Sequence, residues 1–95
     1  MNFDDYETFR FERRGRILKA VINRPENMNA INAIMHHEMS TVFYDLQKDP
    51  GSDVIILTGE GKAFCAGGDT DWFQAMIDDP LKFEHLLPEA KSIVF

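Results

Sequence analysis

Apolar and charged residues alternate over 8–13, with Phe9 and Phe11 set against Arg10 and Glu12, the period-two pattern of a half-buried strand. Gly15, within Arg13-Arg14-Gly15-Arg16, supplies a hairpin turn, and Ile17, Leu18, Val21 and Ile22 make the partner strand over 17–23. Arg24-Pro25 stops that strand, because Pro25 has no N–H for the ladder and restricts the residue before it. Over 32–48 the period changes. Met35, Met39, Val42, Phe43 and Leu46 fall on one face of a helix, with Asn32 placed to cap it and Asp49-Pro50-Gly51-Ser52 to end it. The unbroken apolar run over 54–57 predicts a strand covered on both faces. A strand–helix–strand unit of this length favours a parallel pair joined by a right-handed crossover. A short helix over 71–77 follows, Asp78-Asp79-Pro80 breaks it, and 81–95 reads as helical but for Pro88. The order is ββαβα in one α/β unit, with 1–7 as a flexible lead-in and neither an internal repeat nor an interdomain linker.

Composition narrows the classes. A 95-residue chain with 44% apolar residues can build one modest core. At that size it buries only about 60–65% of its unfolded surface, so marginal stability is expected. The net charge of -6 opposes a nucleic-acid role, which needs clustered Lys and Arg to displace counterions. Cys65 is the single cysteine, so there is no internal disulfide and no zinc spacing. The start of the chain carries Asp4, Asp5 and Glu7 without an apolar run, which fits neither a secretory signal nor a mitochondrial presequence. No stretch approaches the roughly 18 apolar residues of a membrane span, and the cytoplasm is the default compartment.

The densest chemistry lies where the 54–57 strand enters a loop, Thr58-Gly59-Glu60-Gly61-Lys62-Ala63-Phe64-Cys65-Ala66-Gly67-Gly68-Asp69. Gly67 and Gly68 lack Cβ atoms, so a ligand can approach the main chain closely there. Asp69 can cap the next helix. Asp69 and Asp71 could bind a metal as an Asp-x-Asp pair, but carboxylates at a helix start more commonly satisfy free N–H groups, and no metal is expected. Cys65 reads as a small buried thiol because no base is placed beside it. His36 and His37, adjacent on a helix, point in different directions and have no i, i+4 histidine partner, so with His85 they read as solvated or capping residues. Gly59-Glu60-Gly61-Lys62 lacks the spacing of a phosphate loop.

This loop resembles the first signature of the crotonase, or enoyl-CoA hydratase/isomerase, superfamily. A second segment, Asn23-Arg24-Pro25-Glu26-Asn27-Met28-Asn29-Ala30-Ile31-Asn32, resembles the family's Asn-Arg-Pro-x-x-x-Asn-Ala-Leu turn and precedes the loop in the right order. The resemblance covers about residues 6–72. It implies the opening turns of the crotonase spiral fold, here an N-terminal part of one domain over 1–95, because relatives usually run to more than twice this length.

The resemblance also implies a site. The residue after the Ala-Gly pair gives the first oxyanion-hole amide in that family, which corresponds to the backbone N–H of Gly68. Ala66 and Ala30 resemble positions that meet coenzyme A, and Gly67, Asp69, Thr70 and Trp72 adjoin the same loop. Thr70 stands where many relatives carry Leu or Ile, and Trp72 is placed to line an acyl pocket or to enter the core. Arg24 is the candidate phosphate cation, set against the alternative of a solvated surface charge. The implied substrate is an acyl-CoA thioester, with coenzyme A as part of the substrate and no permanent cofactor. The implied reaction is hydration of a 2-enoyl-CoA, with isomerase, hydrolase and non-catalytic acyl-CoA-binding or assembly roles as alternatives. No position here matches the family's second oxyanion donor or its acidic residues, so this segment alone is expected to be inactive. Relatives commonly form trimers or hexamers, and a homo-oligomer is expected with neither nucleic-acid nor membrane partners.

Overall fold

The computed structural model describes residues 3–94. Strands β1 (Phe9–Arg14) and β2 (Ile17–Ile22) form an antiparallel hairpin through a turn at Gly15, with Phe9 opposite Ile22 and Arg14 opposite Ile17. Helix α1 (Ala33–Gln47) crosses to strand β3 (Val54–Gly59), which pairs parallel to β2 in the sheet order β1-β2-β3. Helices α2 (Thr70–Asp78) and α3 (Pro80–Val94) follow. These elements agree with the sequence pattern to within a few residues, and Pro88 sits inside α3 rather than ending it.

The core explains why α1 lies where it does. Met35, Val42 and Leu46 project from one face of α1 onto Phe9, Leu18, Ala20 and Ile22 of the hairpin, and all seven are buried. Met39 packs against this cluster from its rim, whereas Phe43 stands on the shoulder of the stripe and is exposed. Asn32 caps α1 as expected, its side-chain oxygen accepting from the N–H of Met35 at 2.9 Å.

Two expectations need correction. The run over 54–57 is not covered on both faces: Val54, Ile55, Ile56 and Leu57 keep 38–51% of their surface exposed. β3 is an edge strand, and α1 spreads its apolar stripe over β1 and β2. The lead-in is also fastened rather than free at its inner end. Glu38, buried on α1, accepts from the N–H groups of Glu7 and Thr8 at 2.6 and 2.8 Å and from the Thr8 hydroxyl, while the Tyr6 hydroxyl donates to Asp45. A carboxylate with three donors satisfies the hydrogen-bonding demand that its burial creates.

Candidate functional site

The two segments singled out in the sequence are built into each other. The Asn-Arg-Pro turn forms a short 3-10 helix over Pro25–Asn27, after which Met28 and Asn29 both adopt a left-handed backbone with φ of 56°. Asn tolerates this conformation better than most residues. Asn29 is fully buried, and all of its side chain is used. Its Oδ1 accepts from the N–H of Arg24 at 2.7 Å, and its Nδ2 donates to the carbonyls of Glu60 and Ala63 at 2.9 and 2.7 Å. One amide thus ties the turn to the start of the glycine loop.

Main-chain bonds continue the seam. The N–H of Ala66 donates to Met28 O at 3.1 Å, that of Ile31 to Gly67 O at 2.7 Å, and that of Asp69 to Ile31 O at 2.8 Å. Ile31 and Gly68 therefore form an isolated parallel bridge. In such a bridge Ile31 bonds to the residues on either side of Gly68, so the N–H of Gly68 points away from it. Among the described residues this N–H donates to no acceptor. Gly67 makes the turn possible with φ of 101°, a conformation costly for any residue bearing a Cβ.

Asp69 caps α2, accepting from the N–H of Asp71 at 2.9 Å. Burial pushes its carboxyl pKa up, but the N–H groups of Asp71 and Trp72 and the Arg24 guanidinium outweigh that and hold it below the usual carboxylate range. Arg24 is where the structure departs from both readings of the sequence. Its side chain is only 13% exposed, so it is not a solvated surface charge. The guanidinium donates to the carbonyl of Ala30 and to Asn27 Oδ1, and pairs with Asp69 at 3.3 Å. Its donors thus face inward onto both signature segments. Ala30 and Ala66 have their N–H groups engaged in the turn and the seam respectively, and Thr70 is exposed at the first position of α2.

Trp72 and Phe73 project from the first turns of α2 as a stacked pair, with ring centroids 5.8 Å apart and planes inclined by 17°. The Trp72 ring also lies 5.2 Å from the His36 ring. His36 and His37 do not act apart, as their adjacency in sequence suggests. Their Nδ1 atoms lie 3.1 and 2.7 Å from the two oxygens of Glu89 on α3, and His36 is buried rather than solvated. Packing of α3 along α1 brings the carboxylate between them, a contact that helical spacing on α1 alone cannot reveal. Among the described residues no group of three or more His, Cys, Asp or Glu is placed to hold a metal ion.

The sequence model of the enoyl-CoA hydratase/isomerase family matches residues 12–88. The chain belongs to this family. It is 41% identical over 64 residues to a probable enoyl-CoA hydratase of Mycobacterium bovis, a match covering 67% of this chain and 25% of the relative. It is 34% identical over 73 residues to a hydroxycinnamoyl-CoA hydratase-lyase of Pseudomonas fluorescens, covering 77% of this chain and 26% of that one. An enoyl-CoA hydratase/isomerase structure from Mycobacterium paratuberculosis superposes with a TM-score of 0.87 at 26% identity, over 95% of this chain and 36% of the other. The chain thus spans about a quarter of the length of these curated relatives. Its ββαβαα order is the α/β beginning of the crotonase fold carried by these enoyl-CoA hydratase/isomerase structures. The seam joins turn to loop in this family member, and Gly68 is the residue whose amide the seam leaves over.

Asn29 and the Arg24–Asp69 pair are the site residues whose roles the sequence reading missed. Both lie inside the quoted signatures. The signal for Asn29 was its type: a short amide that accepts a left-handed backbone is suited to a buried turn. The Arg24–Asp69 pair spans 45 residues, and no local pattern announces it. No helix among the described residues is long and apolar enough to cross a membrane.

Proposed function

We propose that this chain forms the thioester-binding part of an enzyme that adds water across the double bond of a 2-enoyl-CoA. The carrying observation is the Gly68 N–H, held in place on both sides by bonds to Ile31 and left without a protein acceptor among the described residues. A thioester carbonyl oxygen placed on it would gain negative charge as the enolate develops. A donor fixed beforehand stabilises that charge without reorganising, and one such donor is worth about 3–4 kcal/mol where water is excluded. Ala30 and Ala66, small residues either side of the seam, leave room for the coenzyme A moiety. Arg24 acts in this reading as a strut that sets the loop, with its charge offset by Asp69 rather than spent on a phosphate.

The names of the relatives support a CoA thioester as the substrate class, and the prevalence of hydratases among them supports water addition over the isomerase and hydrolase alternatives. The test is Gly68→Pro in the full-length protein, which removes the N–H, made together with Phe73→Ala because any side chain at position 68 would meet the Phe73 ring, and compared with Phe73→Ala alone. The expected result is a fall of about a hundredfold to a thousandfold in kcat, with free coenzyme A bound as before. A variant that folds and keeps full turnover would overturn the assignment. Binding of acyl-CoA by the unaltered protein without turnover of any enoyl thioester would favour the non-catalytic alternative.

A further inference from the structure

The amide left over by the seam is not open on every side. A Cβ built on Gly68 would collide with Cζ, Cε1 and Cε2 of Phe73, so the ring tip lies against the glycine itself. The absence of a side chain at Gly68 thus serves a contact within the chain as well as any approach by a ligand. The Phe73 ring has Gly68 at its tip and Trp72 stacked beside it. It remains 48% exposed and borders an open apolar trough of about 560 Å³ that it shares with Met76, Ile77 and Pro80. An aromatic ring with apolar space beside it can rotate about its Cα–Cβ bond without disturbing the helix that carries it.

We propose that Phe73 is a gate over the Gly68 amide, whose ring must swing off the glycine before an acyl thioester can engage the N–H, so that Phe73 selects which acyl groups are admitted. The proposal rests on the reading of Gly68 as the thioester donor and adds to it a specificity-determining residue. The acyl group of a thioester bound to the Gly68 N–H begins within a few ångströms of that residue, and the ring tip stands on the side of the same residue where a Cβ would lie. A short acyl group needs only a small rotation. A bulky or aromatic one needs the ring displaced into the trough, with Met76 and Ile77 then meeting either the ring or the acyl group. Trp72, seated on His36, is the partner against which the closed ring rests.

The test uses full-length protein carrying Phe73→Ala, with Phe73→Leu as a variant that keeps an apolar cover of similar reach. Two quantities are read: hydrogen exchange of the Gly68 amide in the free protein, and KM for a short linear 2-enoyl-CoA against one with an aromatic acyl group. In Phe73→Ala the Gly68 amide should exchange several-fold faster, and the ratio of the two KM values should move about tenfold toward the aromatic substrate, with Phe73→Leu between. Unchanged exchange in a folded Phe73→Ala would overturn the gate, and so would faster exchange with an unmoved KM ratio. Faster exchange with no acyl-CoA bound by any of the three proteins would instead overturn the thioester reading of Gly68, and the selection of acyl groups with it.

Discussion

At the scale of single residues, Asn29 carries more of the site than Gly68 does, because Gly68 is useful only where Asn29 holds it. Replacing Asn29 with Ala removes the acceptor for Arg24 N–H and the donors for Glu60 and Ala63 carbonyls, and leaves a Cβ-bearing residue at φ of 56° without a side-chain bond to hold it. Leaving buried partners unsatisfied costs about 1–3 kcal/mol each where water cannot reach them. Asn29→Ala should therefore lower the unfolding free energy by about 2–4 kcal/mol, read from the urea midpoint. Asn29→Asp should be at least as damaging, since it turns a carboxylate toward two carbonyl oxygens. A loss within the error of the measurement in both variants would show that the seam does not depend on this amide.

At the scale of elements, the attachment of the lead-in to α1 makes a pH prediction. Burial, with the hydrogen bond to Asp45, pushes the Tyr6 hydroxyl from 10.0 up to about 12. A group whose pKa is raised on folding stabilises the folded form fully below its unfolded value and loses that contribution as pH rises through the folded one. Stability should thus decline between about pH 10 and pH 12 through Tyr6, which forms tyrosinate late. Tyr6→Phe should abolish this decline, and a Tyr6 hydroxyl that titrates near its ordinary value would contradict the attachment. This contact shows where legibility ends. The spacing of Phe9 and Phe11, of Met35, Val42 and Leu46, and the cap at Asn32 announce β1 and α1, because the period of burial is a local property of the chain. The pairing of Tyr6 with Asp45, of Arg24 with Asp69 and of two histidines with Glu89 depends on which elements meet in space. The apolar run of β3 misleads for the same reason: it records that a strand can be covered on both faces, while what covers it lies elsewhere.

At the scale of the whole molecule, β3 presents an exposed edge beside exposed Val54, Ile55, Ile56 and Leu57, and Ile77 and Leu81 stand out from α2 and α3. Exposed apolar edges of this kind pair with other chains. In the 95-residue chain, Ile56→Lys should raise solubility and reduce light scattering while changing the unfolding free energy by no more than about 0.5 kcal/mol, the range of an exposed substitution. Undiminished association would place the sticky surface on the helices instead. The glycine loop, by contrast, is fixed from four directions: by Asn29, by the Ile31 bridge, by the Arg24–Asp69 pair and by α2. That difference matters for function, because an oxyanion donor must be placed before the charge arrives. The most direct test is the amide proton shift of Gly68 by NMR as an unreactive acyl-CoA thioester is added, compared with coenzyme A lacking the acyl group. The expected result is a saturable downfield shift of Gly68 with the thioester and little change with coenzyme A alone. A Gly68 amide that does not move while the thioester saturates other residues of the loop would contradict its role as the oxyanion donor.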